Sequence, residues 1–114
     1  MATDTMKYTA SHRFARIAPR KARLVADMIR GKGIEDALAA LEFSPRRGAW
    51  FIKSVLRSAI ANAEERNADV GRLFVSESRV DEGPTIKRFQ PKDRGRSHPI
   101  MKRTSHIHVS VDVR

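Results

Sequence analysis

The sequence predicts an α+β fold, with three helices packed on one face of a small, three-stranded antiparallel sheet. Residues 45–66 carry apolar side chains at intervals of three and four, which is the spacing of a helix with one buried face. Residues 105–113 alternate between apolar and polar side chains, which is the pattern of a strand with one buried face. The length of 114 residues fits one domain, so we expect residues 1–114 to form a single domain.

The first two predicted helices are short. The first spans residues 19–30, because Pro19 suits the first position of a helix and Gly31 commonly follows a helix C-terminus. The second spans residues 34–42. The apolar positions are Ala22, Val25, Met28 and Ile29 in the first helix, and Ile34, Ala37, Leu38 and Leu41 in the second.

The third predicted helix is the longest. It begins at Pro45 with Ser44 as its N-cap, and it continues to about Arg66. Its apolar positions are Ala49, Ile52, Val55, Leu56, Ala59, Ile60 and Ala63. The alanines among them allow a neighbouring element to approach closely. We expect Trp50, which has Phe51 beside it, to serve packing rather than ligand contact.

The remaining regular segments predict strands. In residues 105–113 the core-facing positions are Ile107, Val109, Val111 and Val113, and the opposite positions are His106, His108, Ser110 and Asp112. Residues 72–80 predict a second strand with a weaker alternation, and residues 6–17 supply a third. These three strands complete the expected antiparallel sheet.

Residues 81–103 form a connection between two strands that is far longer than an ordinary hairpin loop. The large apolar residues in it are Ile86, Phe89, Ile100 and Met101, too few for a core of its own. The segment is therefore either a disordered loop or an extended β-hairpin arm. An arm with about 11 residues on each side reaches ~35 Å, well beyond a compact body with a radius of gyration near ~13 Å.

The positive charge is concentrated in two segments. The chain has 23 basic and 13 acidic residues, for a net charge of +10. Residues 12–23 contain five basic residues and no acidic one, and residues 84–103 contain seven basic residues and one acidic one, so the rest of the chain is nearly neutral. A charge that serves only solubility is scattered and mixed in sign. Solvated charge runs remain one explanation, and contact with a polyanion is the explanation that the pattern favours.

Several classes of protein do not fit the sequence. The absence of cysteine excludes disulfide scaffolds, cysteine-ligated zinc and thiol catalysis. No apolar run is long enough to span a bilayer, and the first residues lack the apolar stretch of a signal peptide, so we expect a soluble intracellular protein without a membrane partner.

Catalytic and metal-binding patterns are also weak. His106 and His108 fall on one face of a strand, but no further ligand lies at a useful spacing, and we expect neither a metal nor a cofactor. Adjacent carboxylates at 64–65 and 81–82 diverge rather than converge, and residues 31–33 lack the glycine spacing of a phosphate loop. We expect no enzymatic activity; an enzyme acting on RNA through either histidine is the alternative.

Aromatic residues lie among the cations of both basic segments. Phe89 is surrounded by Lys87, Arg88, Lys92, Arg94 and Arg96. Phe14 lies between Arg13 and Arg16, where it suits the core equally well. Rings and guanidinium groups stack on unpaired bases, and cations neutralise phosphates. DNA-binding proteins usually present a recognition helix, whereas these cations lie on a strand, a helix start and a long arm. The pattern favours folded RNA, with a DNA-binding regulator as the alternative.

Longer stretches of the chain resemble one family, the L-twenty-two proteins of the large ribosomal subunit. The stretch APRKARLVADMIRGK resembles the first helix of that family, and SAIANAE and VDEGP resemble its third helix and the entry to its arm. With the matches in and after the arm, the similar stretches are residues 18–32, 58–64, 80–84, 87–89, 95–96 and 102–107. They occur in one order from about residue 12 to the C-terminus.

The resemblance implies a ribosomal protein of bacterial type, located in the cytoplasm as part of a bacterial or organellar ribosome. It implies a structural constituent without catalysis. It implies an α+β body near the exit of the nascent-peptide tunnel, and a long protruding β-hairpin over residues 81–103 whose tip forms part of the tunnel wall. The implied partners are several domains of the large-subunit ribosomal RNA, neighbouring ribosomal proteins and the nascent peptide. The implied roles are RNA binding and help in subunit assembly.

The residues that we expect to bind ribosomal RNA are Arg13, Arg16, Arg20, Lys21, Arg23, Lys87, Arg88, Lys92, Arg94, Arg96, Lys102, Arg103 and His106. The expected tunnel-lining tip comprises Lys87, Arg88, Phe89, Gln90, Pro91, Lys92, Gly95 and Arg96. Gln90 replaces an arginine that is common in the family, Asp93 adds an acid, and His108 replaces a more usual threonine. The tip is therefore less cationic than in many relatives.

Overall fold

The computed structural model of the protein describes the backbone of residues 7–92 and 96–113, and the side chains of residues 7–85 and 103–113. The strands are Tyr8–Ala15 (β1), Leu73–Glu82 (β2), Ile86–Lys92 (β3), Arg96–Lys102 (β4) and Ser105–Val113 (β5), and the helices are Pro19–Ile29 (α1), Ile34–Glu42 (α2) and Arg47–Glu65 (α3). Helices on a small antiparallel sheet confirm the predicted α+β class.

The body is built around a three-stranded antiparallel sheet in the order β1-β5-β2. The last strand of the chain therefore lies in the centre. Tyr8 pairs with Val111, and Leu73 pairs with Val113. Both ladders contain one irregularity, between His12 and Ala15 in β1 and between Val75 and Glu77 in β2. The N-terminal segment thus supplies the third strand, as the sequence predicts.

The helices cover one face of this sheet. α3 packs on β1 and β5, and α1 packs on β2. The largest fully buried apolar side chains are Ile29, Ile52, Leu56, Ile107, Val25, Val75, Val109 and Val111. They come from the apolar positions of α1, α3, β2 and β5, so the periodicities identified most of the core.

The start of α3 lies very close to α1. A β-carbon at Gly48 would lie 3.2 Å from Cδ1 of Ile17 and 3.3 Å from Cγ2 of Val25. A larger residue at position 48 would require both neighbours to move by a few tenths of an ångström. Glycine therefore lets the N-terminal ends of the two helices approach each other.

Two predictions about the helices are wrong. α3 begins at Arg47 rather than Pro45, because the Ser44 hydroxyl accepts the N–H of Arg46 at 3.3 Å in a turn before the helix, and Arg46 occupies the N-cap position. Met28 is 37% exposed, and Ala26 is buried in α1 in its place. A helix turns by about 100° per residue, so position 28 lies at the margin of a face centred on its neighbours.

The structure also corrects the expected environment of Trp50, Ser110 and Asp112, and it decides between the two alternatives for Phe14. Trp50 is 67% exposed and only its edge meets Phe51, at a ring-centroid distance of 5.0 Å, so the interior packing belongs to Phe51 alone. Phe14, which suited the core equally well, is on the surface. Ser110 and Asp112 are buried although they lie opposite the core, because β5 is the central strand and its neighbours cover both of its sides.

Residues of the long connection pair with each other. β3 and β4 form a separate two-stranded antiparallel sheet, in which Ile86 pairs with Lys102 and Lys92 pairs with Arg96. This is the hairpin alternative of the two that the sequence allowed. The molecule measures 68 × 30 × 20 Å, and its radius of gyration is 17.4 Å. A compact chain of this length has a radius near ~13 Å, so the molecule is elongated.

The junction between body and hairpin is held by two hydrogen bonds. The N–H of Gly83 donates to the carbonyl of Thr104 at 2.9 Å, and the Thr104 hydroxyl donates to the carbonyl of Pro84 at 2.6 Å. A β-carbon at Gly83 would lie only 2.5 Å from the Thr104 hydroxyl oxygen, which explains the glycine. The pairing of β2 with β5 therefore continues, through this junction, into the pairing of β3 with β4.

Candidate nucleic-acid interface

Five cationic side chains surround one open groove of about 740 Å³ on the body. They come from the segment before α1, from the starts of α1 and α3, and from the residue that follows β4. The groove is lined by Arg16, Lys21, Arg46, Arg47 and Arg103, together with Ile17, Ala18, Leu24, Gly48 and Thr104. No acidic residue belongs to this lining, so the groove combines cations with a small apolar floor.

The fold explains why these distant segments meet. The close approach at Gly48 brings the start of α3 against α1. The fully buried hydroxyl of Ser105 donates to the carbonyl of Ile17 at 2.6 Å, which fixes the start of β5 beside the entry to α1. Arg103, two residues before Ser105, is thereby held at the rim of the groove. We call this set of five cations and its lining the cationic groove.

The helix ends add to the positive potential of the cationic groove. The N-terminus of a helix carries a partial positive charge, so acidic residues are favourable there and basic residues are unfavourable. The first turns of α1 and α3 contain no acidic residue, and neither N-cap, Ala18 or Arg46, makes a side-chain capping hydrogen bond. Cations placed at two such ends repel one another and the dipoles, and a bound anion relieves that repulsion.

Some cations elsewhere on the body form ion pairs within the chain. Lys53 contacts the Glu42 carboxylate at 2.6 Å, and this hydrogen bond and charge lower the pKa of Glu42. Arg79 lies 2.6 Å from both Glu77 and Asp81, and first the hydrogen bond to Glu77 and then the charge of Asp81 raise the pKa of Arg79. None of the five groove cations has an ion pair with an acidic residue in the part of the chain that the structure describes. They are available to an external anion.

The structure brings together only some of the residues expected to bind RNA. Arg16, Lys21 and Arg103 line the cationic groove. Arg13 in β1 and Arg20 in the first turn of α1 are exposed but lie outside this lining. Arg23 is exposed too, but its Nε donates to the carbonyl of Val80 at 3.2 Å, so it also joins α1 to β2.

The expected residues of the arm occupy a separate element. Lys87, Arg88, Phe89, Gln90, Pro91 and Lys92 belong to β3, and Arg96 and Lys102 belong to β4. Arg94 and Gly95, together with Asp93, lie outside the described residues. The backbone pairing thus places the expected tip residues Gln90 and Pro91 opposite His98 and Ser97.

Arg46 and Arg47 are the groove residues that the sequence analysis missed. The signal was present: two adjacent arginines follow Pro45 at the start of a helix, where the helix dipole disfavours positive charge. A stabilising sequence would place acidic residues there. What the sequence alone could not supply was the proximity of this pair to Lys21 and Arg103.

Both histidines of β5 are engaged by neighbouring strands. Nδ1 of His108 lies 2.8 Å from the Ser11 hydroxyl, and its Nε2 lies 3.1 Å from the Asp81 carboxylate. Nδ1 of His106 accepts the backbone N–H of Phe14 at 3.1 Å. Within the described ranges, no group of three or more His, Cys, Asp or Glu residues is arranged to hold a metal ion. Because Nδ1 of His106 accepts a hydrogen bond, its Nε2 can donate to an RNA acceptor.

The fold and the cationic groove together define a class, a small α+β protein with a groove of cations on its body. Residues 10–112 match the model of the family described as ribosomal protein L22p/L17e. Large ribosomal subunit protein uL22 of Ligilactobacillus salivarius is 51% identical over 100% of both chains. The uL22 protein of Lacticaseibacillus casei is 53% identical over 97% of this chain and 96% of its own. The uL22 protein of Geobacter sulfurreducens is 54% identical over 91% of this chain and 95% of its own.

The chain belongs to the ribosomal protein L22p/L17e family. It is a structural constituent of the large ribosomal subunit, located in the cytoplasmic ribosome, rather than an enzyme. Among the helices that the structure describes, none combines the length and the apolar character needed to cross a bilayer.

Proposed function

We propose that this protein binds large-subunit ribosomal RNA through the cationic groove and through the basic hairpin formed by β3 and β4, and that this binding helps the subunit to assemble. The observation that carries the proposal is the convergence of five cations from three chain segments on one groove with no acidic residue. A charge run that serves only solubility has no reason to be assembled from residues 16, 46 and 103. A folded polyanion supplies phosphates at several angles, which suits such a groove.

We expect the two binding elements to contact separate parts of the RNA. The expected body contacts are Arg13, Arg16, Arg20, Lys21, Arg23, Arg103 and His106, to which we add Arg46 and Arg47 because they line the cationic groove. The hairpin contacts come from Lys87, Arg88, Lys92, Arg94, Arg96 and Lys102. Because the molecule is 68 Å long, one copy can connect RNA domains that are distant in sequence. Neighbouring large-subunit proteins would pack around the exposed remainder of the body.

A binding experiment tests the groove. In the variant Lys21→Gln/Arg46→Gln/Arg47→Gln, we expect the affinity for large-subunit ribosomal RNA transcripts to fall about 100-fold at ~0.15 M salt, because three phosphate contacts are lost. Filter binding measures this. Duplex DNA of equal length is the competitor, and equal or tighter binding to DNA would support the DNA-regulator alternative instead.

The matched control removes the same charge elsewhere. The exposed cations Lys32, Arg57 and Arg66 lie outside the lining of the cationic groove. Their replacement by glutamine lowers the net charge by three as well, so it reports the effect of overall charge alone. If both triple variants lose the same affinity, the groove is not the binding site.

The tip of the hairpin, by this proposal, forms part of the wall of the nascent-peptide tunnel. The expected residues are Lys87, Arg88, Phe89, Gln90, Pro91, Lys92, Gly95 and Arg96. The support is the position of residues 87–92 on a strand that pairs with β4 in a sheet separate from that of the body, with the family membership of the chain.

Crosslinking tests the tunnel assignment. A photoreactive amino acid at position 90 of the protein, assembled into ribosomes, should crosslink to a radiolabelled nascent peptide on translating ribosomes. The same group at Arg66, on the C-terminal end of α3, is the control and should not. Crosslinks from position 90 to RNA alone, with none to the peptide, would contradict a tunnel-lining tip.

A further inference from the structure

The aromatic residue Phe14 is held on the surface by a distorted strand. The ladder between β1 and β5 is interrupted between His12 and Ala15, so Arg13 and Phe14 have no partner in it. The φ angle of Phe14 is +59°, in the left-handed region that bulky residues rarely adopt. Asn67 is the other described non-glycine residue with such an angle, and asparagine tolerates it far better. A β-bulge of this kind re-aims a side chain.

His106 holds this strained residue in place. The backbone N–H of Phe14 donates to Nδ1 of His106 at 3.1 Å. The two rings also pack edge to face, with centroids 4.9 Å apart and planes at 87°. Both contacts come from the central strand of the sheet, which cannot shift without disturbing the core. These two contacts therefore fix the position of the Phe14 backbone and ring relative to the sheet.

The held ring remains largely exposed to solvent. Phe14 is 58% exposed, which excludes the core role that its sequence position also suited. Arg13 and Arg16 on either side are exposed, and neither forms an ion pair with an acidic residue among those described. Arg16 also lines the cationic groove. A strained, fixed, apolar ring flanked by unpaired cations has no evident use within the chain itself.

We propose that Phe14 is a stacking platform for one unpaired base of RNA, with Arg13 and Arg16 contacting the phosphates on either side of that base. This inference rests on the proposed RNA-binding function and adds a site to it. Every base has a flat face that stacks on an aromatic ring, and the cations supply the charge complementarity that a protein partner would have to match with acids. Since Nδ1 of His106 accepts a hydrogen bond, its proton lies on Nε2, where it can donate to the same nucleotide.

The test compares single-stranded and paired RNA on the full-length protein. The probe is a six-nucleotide single-stranded RNA with 2-aminopurine at one internal position, and the comparison ligand is a fully paired RNA duplex of equal length. For Phe14→Leu we expect the affinity for the single strand to fall about tenfold or more, with the affinity for the duplex unchanged. Phe14→Trp should bind at least as well as the parent, because it keeps the stacking surface.

Two controls separate stacking on Phe14 from other effects. Phe43→Leu and Trp50→Leu remove the two other strongly exposed aromatic rings among the described side chains, at 86% and 67% exposure, and should leave the affinity unchanged. The dependence of affinity on salt should be the same for Phe14→Leu as for the parent, because no phosphate contact is lost, whereas Arg13→Gln should reduce it.

Several outcomes overturn the platform. The proposal is wrong if Phe14→Leu binds the single strand as tightly as the parent does. It is also wrong if Phe14→Leu still quenches the fluorescence of 2-aminopurine and Trp50→Leu does not. If Phe14→Leu does not fold, absence of 2-aminopurine quenching by the parent overturns the proposal, and quenching by both the parent and Phe14→Trp supports it. Normal binding of ribosomal RNA by Phe14→Leu would contradict the stacking platform alone. Failure of the parent to bind ribosomal RNA would contradict the proposed function.

Discussion

Ser105 shows how a single buried hydroxyl positions the cationic groove. It is fully buried, it pairs with Ala15 on one side and Glu82 on the other, and its hydroxyl donates to the carbonyl of Ile17 at 2.6 Å. This bond joins the start of β5 to the turn that leads into α1. Arg16 directly precedes Ile17, and Arg103 lies two residues before Ser105. The hydrogen bond therefore helps to hold these two groove cations at the same groove.

Replacing this hydroxyl should destabilise the fold. In Ser105→Ala the carbonyl of Ile17 loses its donor inside the protein, so we expect the free energy of unfolding to fall by about 1–3 kcal/mol. Urea denaturation followed by circular dichroism measures the change. Ser78→Ala is the matched control: Ser78 is 1% exposed in β2, and its hydroxyl has no hydrogen-bond partner among the described residues. An equal loss in both variants would mean that the bond to Ile17 has no special role.

Element types followed from the sequence because they depend on local spacing. The three helices, the three strands of the body and most core positions of α3 were predicted, since burial on one side imposes a period of 3.6 on helices and of 2 on strands. The start of α3 was predicted wrongly. Ser44 and Pro45, which precede the helix, form a turn that has the composition of a helix N-cap. Met28 and Trp50 were misplaced because hydrophobicity does not fix which positions a neighbouring element covers.

The candidate site was only half predictable for a related reason. Charge runs are visible in the sequence, so Arg16, Lys21 and Arg103 were expected in an RNA-binding surface. Arg46 and Arg47 join them through tertiary packing at Gly48, which no local pattern reports. The bulge at Phe14 depends on the register of β1 against β5, and a slip of one residue would have placed its ring on the other face.

At the scale of the whole molecule, two parts with different stability requirements share one chain. The core is made by residues of the helices and of β1, β2 and β5. Among the strands that the structure describes, β3 and β4 pair only with each other. The hairpin is joined to the body by the hydrogen bonds around Gly83 and Thr104. We therefore expect the hairpin to contribute to RNA binding rather than to the folding of the body.

Deleting residues 86–98 separates these two contributions. We expect the melting temperature to stay within a few degrees of the parent, because the removed strands pair with each other and with no strand of the body sheet, and calorimetry measures it. The deletion takes away Lys87, Arg88, Lys92, Arg94 and Arg96. If the parent contacts about eight phosphates of ribosomal RNA, its affinity should fall ~10³-fold or more between ~50 and ~200 mM salt, whereas the deleted protein, with about four contacts left, should lose only ~10²-fold. A parent affinity that hardly changes with salt would contradict phosphate binding by either part. Equal salt dependence in the two proteins would show that the hairpin cations do not contact RNA, and a large drop in melting temperature would show that the body needs the hairpin to fold.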